Sequence, residues 1–198
     1  MKRINQKLFN FIIQNNNMIT TAQILSLGFS KQLPVKYVSD GLLERIRHGV
    51  YILPDSVHDD MYTLMLSSEN IIFSHESALF INGLFDRTPF IHTITMPSSK
   101  TLPHAIKNEC NCFYIKTELH NIGLVEKINN FGNKVRCYDM ERTLCDFIRT
   151  RSRCDEETVI SAIKNYALYK NKNLERLAEY AKIFKVFSDV KKYMEVLL

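Results

Sequence analysis

Near the start of the chain, Lys31, Gln32 and Lys36 are followed closely by Arg45, Arg47 and His48, with Ser30 and Ser39 among them. A Gln side chain presents a donor and an acceptor in one plane and can read adenine bidentately, while Lys reaches guanine or a phosphate. Gln32, Lys36 and Ser39 recur at four and three residues, so they share one stripe of a helix, with Lys31 at its leading edge. Leu33, Tyr37 and Val38 recur at four and one and form the inward stripe of the same helix. Arg45 and Arg47 are two apart, which points both to one side of a strand. Ser30, Lys31, Gln32, Lys36, Ser39, Arg45, Arg47 and His48 are therefore the candidate contacts to duplex DNA.

The elements that must carry these groups are legible around them. Thr20 or Thr21 can cap a short helix, Ala22 to Leu27, and Gly28 stops it in the left-handed conformation that Gly adopts cheaply. Ser30 is positioned to cap a second helix, about Lys31 to Ser39, with Pro34 near its first turn, and Gly41 ends it. Leu43–Arg47 and Val50–Leu53 read as strands joined through His48-Gly49, a tight hairpin. Before them, Ile4, Leu8, Phe11 and Ile12 recur at helical spacing until Asn15-Asn16-Asn17 interrupts. Three helices and a basic hairpin in this order form a winged helix-turn-helix, the layout that lays one helix in a major groove.

Charge supports the division. The chain of 198 residues carries a net charge of +5. Residues 1–54 hold seven Lys/Arg and two acids, while residues 55–198 hold nineteen of each, so the whole excess lies on the first quarter. A basic head on a neutral body is the footprint of a polyanion-binding module attached to a part with another task. The expected domains are 1–54, a winged helix-turn-helix, and 55–198, with the boundary at Pro54-Asp55. The composition, 45% hydrophobic and 24% charged, is that of an ordinary globular chain. No apolar run is long enough to span a membrane, and the N-terminus reads as a helix rather than a leader, so the expected compartment is the cytoplasm.

The second domain reads as α+β: a larger domain with a small sheet and a C-terminal helical bundle. A helix is expected at about Asp59 to Ser67, then strands at Ile71–Ser74, Ile91–Met96, Cys112–Lys116 and Lys134–Tyr138, with a helix His75 to Asn82 capped by Ser74 and closed by Gly83. From Asp139 onward the pattern is helical. Leu144, Phe147 and Ile148 mark the first helix, and Val159, Ile163, Tyr166 and Ala167 the second, capped by Asp155. Asn173 caps a third, Leu174 to Phe184, and Ser188 a fourth. Short gaps between them call for antiparallel packing.

Catalytic signatures are sparse. There is no phosphate-cradling Gly-rich loop, no G-x-S-x-G, and His75-Glu76 has Leu79 where a zinc protease needs its second His. The nuclease pattern of an acid followed by Glu-x-Lys is missing; Asp189-Val190-Lys191 is its nearest match and falls in the terminal helix. No catalysis, cofactor or metal is expected. Of five Cys, Cys110 and Cys112 are closely spaced, but without a second pair the reading is reduced structural thiols. His75-Glu76-Ser77 is the most polar spot of the second domain and reads as a capping and hydrogen-bonding cluster. Arg142 and Asp146 are spaced to pair across one helical turn, an interaction of small value when exposed. Arg149, Arg151 and Arg153 form a second basic run, with Lys164 and Lys170 beyond, suited to an acidic partner or a nucleic acid.

Through nearly its whole length, and most strongly in three stretches, the chain resembles the AbiEi-type antitoxins of bacterial abortive-infection (type IV) toxin–antitoxin systems. Ile24 to Ser30 through Gly41 to Tyr51 looks like that family's winged helix. Ser74-His75-Glu76-Ser77-Ala78-Leu79 up to Gly83-Leu84 looks like its central motif, and Met140-Glu141-Arg142-Thr143-Leu144-Cys145-Asp146 like its later helix motif. Pro34 departs from the apolar residue expected at that place. The resemblance implies an N-terminal domain that binds repeated promoter sites and represses its own operon, and a second domain that counters a nucleotidyltransferase-type toxin. The Arg149, Arg151 and Arg153 run is then the expected antitoxin surface. The alternative reading is a ligand-responsive winged-helix transcriptional regulator, and a third is a nuclease targeted by the winged helix.

Overall fold

The structure, a computed structural model, describes residues 3–197. Its chain divides into two compact units, one running through Leu64 and including Asn130–Asn133, the other spanning Met65–Asn129 and Lys134 onward. The segment from Asp55 to Leu64, expected to open the second domain, thus belongs with the first unit.

The first unit begins with α1 (Gln6–Gln14), capped by the Asn5 side chain, whose amide oxygen accepts from Lys7 N. β1 (Met18–Thr20) follows, then α2 (Thr21–Ser26). Thr20 and Gln23 form a reciprocal capping box at the start of α2, satisfying two otherwise orphaned N–H groups. Gly28, at φ +88°, lets the chain turn back so that Phe29 N donates to Ile24 O.

α3 spans Leu33–Ser39, two residues shorter at its start than the expected Lys31 to Ser39. Ser30 caps nothing. Its carbonyl accepts a turn bond from Leu33 N, and the helix enters through Gln32 with Pro34 in the first turn, where a missing N–H costs no intrahelical bond. Helices α1–α3 close over Leu8, Ile12, Ile19, Ile24, Tyr37, Leu43 and Tyr51, with Leu33 and Val38 packed against that cluster. The inward stripe of α3 is therefore the expected one, with Pro34 also buried.

β2 (Glu44–Arg47) and β3 (Val50–Ile52) make the hairpin. β1 completes a three-stranded antiparallel sheet of order β1-β3-β2, pairing Met18 with Ile52 and Thr20 with Val50. α4 (Asp60–Met65) ends the segment, with Asp59 Oδ1 accepting from Tyr62 N.

In the second unit, β4 (Ile72–Phe73), α5 (His75–Ile81), β5 (His92–Pro97), β6 (Cys110–Ile115), α6 (Thr117–His120), β7 (Leu124–Ile128) and β8 (Lys134–Tyr138) precede four helices. The five strands form a mixed sheet of order β6-β5-β4-β8-β7, in which β4 pairs antiparallel with β5 and parallel with β8. The helices are α7 (Met140–Arg149), α8 (Glu156–Leu168), α9 (Leu174–Ile183) and α10 (Phe187–Leu197). Asp139, Asp155 and Asn173 each accept at the third residue beyond, as N-caps do. Ser188 does not cap α10, because the helix already includes Phe187. Leu144, Phe147, Val159, Ile163, Tyr166, Leu177, Ala181 and Val190 supply the core shared by α7–α10.

α7 is the centre of this unit, with Met140 through Ile148 all buried. Glu141 Oε1 accepts from Tyr166 Oη and Asn173 N, and so holds α8 and the start of α9. Asp139 Oδ2 accepts from Tyr180 Oη on α9. Arg142 is wholly buried, so its pairing with Asp146 is not the exposed one of small value. Its guanidinium lies between the rings of Tyr138 and Phe184, 4.0 Å from each centroid, and Nη1 donates to the carbonyls of Leu119 and Ile122. The spacing of Arg142 and Asp146 is that of a surface pair, but the face they occupy is the one that α9 and the loop after α6 cover.

Candidate nucleic-acid interface

On α3 the side chains facing away from the core are those of Val35, Lys36 and Ser39, continued by Lys31 and Gln32 in the turn before it, and all five are exposed. Together they line one shallow concavity. Lys31, Gln32, Lys36 and Ser39 are thus brought onto a single surface, as their spacing predicts. Ser30 lies outside that lining set and supplies only its turn carbonyl. Val35 was not singled out by composition or charge. It does fall four residues after Lys31 and four before Ser39, so helical periodicity alone places it in the stripe.

The wing is less regular than two-residue alternation implies. Arg45 pairs with Tyr51 and Arg47 with Val50, so the register shifts between them at Ile46. A bulge breaks the alternation, and the argument that both arginines share one side fails with it. Arg45 is exposed and its Nε donates to the Arg47 carbonyl at 3.3 Å, while Arg47 is half-buried. His48 is exposed at the hairpin tip, beside Gly49 at φ +73°. The surface available to a polyanion is therefore Lys31, Gln32, Lys36, Ser39, Arg45 and His48. Coulombic attraction from such a surface is sequence-independent, whereas the Gln32 amide can distinguish a base.

The candidate contacts of the wing and of the outward helix stripe all lie within residues 30–48. Residues 6–54 match the family model AbiEi_4, described as transcriptional regulator, AbiEi antitoxin. The match covers α1 through the wing, so every candidate contact lies inside the AbiEi_4-like module. No curated protein matches the sequence. Among solved structures, the RV2827C protein from Mycobacterium tuberculosis is similar over 98% of this chain and 83% of its own, with a TM-score of 0.55 and 12% identity, a likeness of fold. No helix among the described residues is long and apolar enough to cross a membrane.

Outside the AbiEi_4-like module, the polar cluster around His75 in the second unit is internal. His75 is wholly buried, stacked on Phe113 with ring centroids 3.9 Å apart. Its hydrogen bonds form a directed chain. Thr95 Oγ1 donates to Ser74 Oγ, which leaves the Ser74 hydroxyl to donate to His75 Nδ1 at 3.0 Å. Thr150 Oγ1 donates to the Asp146 carbonyl at 2.7 Å and so accepts from His75 Nε2 at 3.0 Å. This fixes the neutral Nε2–H tautomer. Burial lowers the imidazole pKa to about 4. Ser74 caps no backbone group, because its hydroxyl belongs to this chain. Glu76 Oε2 accepts from Thr93 Oγ1, and Ser77 Oγ accepts from Thr93 N. The expected role of the His75-Glu76-Ser77 cluster, hydrogen bonding within the fold, accounts for every one of these contacts.

The arginine run divides. Arg149 turns inward and its Nη2 donates to Asp146 Oδ1 at 3.0 Å, leaving 28% of the side chain exposed. The Arg153 guanidinium lies over the Phe113 ring, 4.2 Å from its centroid. Arg151 and Arg153 are exposed in a short 3-10 turn. Burial raises the Cys137 and Cys145 thiols to about 12, so both stay protonated and unreactive near neutrality. All five cysteines are unbridged, and no group of three or more potential metal ligands occurs among the described residues.

Proposed function

We propose that the chain is a DNA-binding transcriptional autorepressor and the antitoxin of an abortive-infection toxin–antitoxin pair. The observation that carries this reading is the α3 stripe and wing, which gather Lys31, Gln32, Lys36, Ser39, Arg45 and His48 on the part of the chain that holds all of its net charge. The family description matched by residues 6–54 supports both roles. In this reading the first unit binds repeated sites in its own promoter, and residues beyond it counter a nucleotidyltransferase-type toxin, without catalysis of their own. Arg151 and Arg153 are the exposed members of the proposed antitoxin surface, with Arg149 behind them. The setting is the bacterial cytoplasm.

The test separates the two roles. A reporter driven by the chain's own promoter measures repression, and growth of cells expressing the adjacent toxin gene measures protection, each with the chain supplied from an independent promoter. Lys36→Ala combined with Arg45→Ala is expected to lose repression and keep protection. Arg151→Ala combined with Arg153→Ala is expected to weaken protection and keep repression. A chain that neither represses nor protects refutes the proposal.

A further inference from the structure

Val35 is an apolar residue in the middle of a polar and basic surface. It is 62% exposed, three residues after Gln32 and one before Lys36, and it lines the concavity together with Lys31, Gln32, Lys36 and Ser39. It contributes nothing to the core of the first unit, which lies on the Tyr37 side of α3. A β-branched side chain also has a lower helix propensity than the long polar residues that ordinarily fill an exposed helix face. Neither folding nor charge accounts for it.

A major groove offers an apolar partner in one place only, the 5-methyl group of thymine. We propose that Val35 is a specificity residue that packs against a thymine methyl, next to a base pair whose adenine is read by Gln32, so that the site preferred by this surface is an A·T step. The inference rests on the DNA-recognition reading above and deepens it by naming the base class. Gln32 already has helical backbone angles, φ −80° and ψ −20°. Residues three apart are then separated by about 4.5 Å along the axis, comparable to the ~3.4 Å rise between base pairs. Gln32 and Val35 therefore address neighbouring pairs, one by hydrogen bonds and the other by apolar contact. Lys31, Lys36 and Arg45 supply the attraction that is indifferent to sequence.

The test uses the full chain and a duplex enriched by it from a random-sequence pool. Each thymine of that duplex is replaced in turn by uracil, which keeps base pairing and removes only the methyl group, and affinity is read by fluorescence anisotropy at fixed salt. One thymine is expected to show about a fourfold loss, the value of one buried methyl group. Val35→Ser should bind the thymine duplex more weakly and no longer distinguish uracil at that position. Val35→Thr, which keeps one methyl and the shape, should retain part of the discrimination and serves if the Ser variant is not folded. Enrichment without any methyl dependence, or full discrimination kept by Val35→Ser, overturns this inference alone. If no sequence is enriched, the DNA-recognition reading falls and this one with it.

Discussion

Arg142 Nε lies 2.9 Å from Asp146 Oδ2, and neither side chain has any solvent exposure. Such a pair is stabilised by mutual attraction only where neighbouring groups also compensate the buried charges, here the Leu119 and Ile122 carbonyls on Arg142 Nη1 and a second arginine, Arg149, on the other carboxylate oxygen, while Arg142 Nη2 has no hydrogen-bond partner among the described residues. Removing Arg142 leaves the buried Asp146 carboxylate with Arg149 alone and strips the Leu119 and Ile122 carbonyls of their donor. Arg142→Ala should lower the unfolding free energy by roughly 3–5 kcal/mol. Arg142→Lys should recover little, since an ammonium cannot reach Asp146 and two carbonyls while lying flat between two rings. Urea denaturation followed by circular dichroism measures both; a loss within 1 kcal/mol for Arg142→Ala contradicts the assignment.

Gly123 stands directly over this arginine. A Cβ built there falls 2.5 Å from Arg142 Cβ, at φ +77°. Gly83 has nearly the same conformation, φ +73°, with nothing within 4 Å. Gly83→Ala should therefore cost only the backbone strain, about 1 kcal/mol, whereas Gly123→Ala should cost that and the clash. The expected result is a clearly lower melting temperature for Gly123→Ala than for Gly83→Ala. Equal values would mean that the loop after α6 yields easily.

His75 makes stability depend on pH. In the unfolded chain it titrates near 6.5, in the fold near 4. Between those values the unfolded chain binds a proton that the folded one refuses, so stability is full above 6.5 and is lost as pH falls toward 4. The two values correspond to roughly 3 kcal/mol over the window. His120 is shifted in the same sense by burial, while the Asp139 carboxyl is raised by burial and acts in the opposite sense at lower pH. His75→Asn isolates the contribution, because Asn tolerates the positive φ of +48° found at this position. The variant should show a flatter dependence of melting temperature on pH between 4 and 6.5; an unchanged slope would assign the effect to other groups.

On DNA, the exposed cations should act separately from the amide. Lys36→Ala and Arg45→Ala should each reduce the salt dependence of affinity by about one counterion where they meet a phosphate. Gln32→Ala should leave that dependence alone and narrow the gap between specific and random duplexes. Anisotropy titrations across salt concentrations give both quantities. Identical slopes for the parent chain and the Lys36→Ala, Arg45→Ala double variant would remove these two residues from the interface.

Some of this could be seen in the residues and some could not. The α3 stripe, the Gly28 stop, β8 and the Asp139, Asp155 and Asn173 caps follow from local chemistry, and the structure has them where spacing places them. β1 leaves no signal in the sequence because Met18–Thr20 is too short to show alternation and owes its conformation to pairing with β3. β7 leaves none either, because Leu124–Ile128 is an edge strand with little buried surface and carries no apolar pattern. The bulge at Ile46 is a property of two strands together and leaves no mark in one. Spacing showed that Arg142 and Asp146 are neighbours, but only the packing of α9 and the loop after α6 decides that no water reaches them.

Asn133 joins the first unit by two side-chain bonds, accepting from Asn16 Nδ2 at 3.0 Å and donating to Asp59 Oδ2 at 2.8 Å. The segment Asn130–Asn133 that carries it is the link between β7 and β8. On a ribosome, α1 to the wing emerge first and can collapse on their own core, yet the last pieces of that unit arrive only after β7 has been made. The first unit is thus finished in the order of synthesis by a strand connection made late, and a nascent chain truncated before Asn130 lacks the bonds that Asn133 makes to the Asn16 and Asp59 side chains.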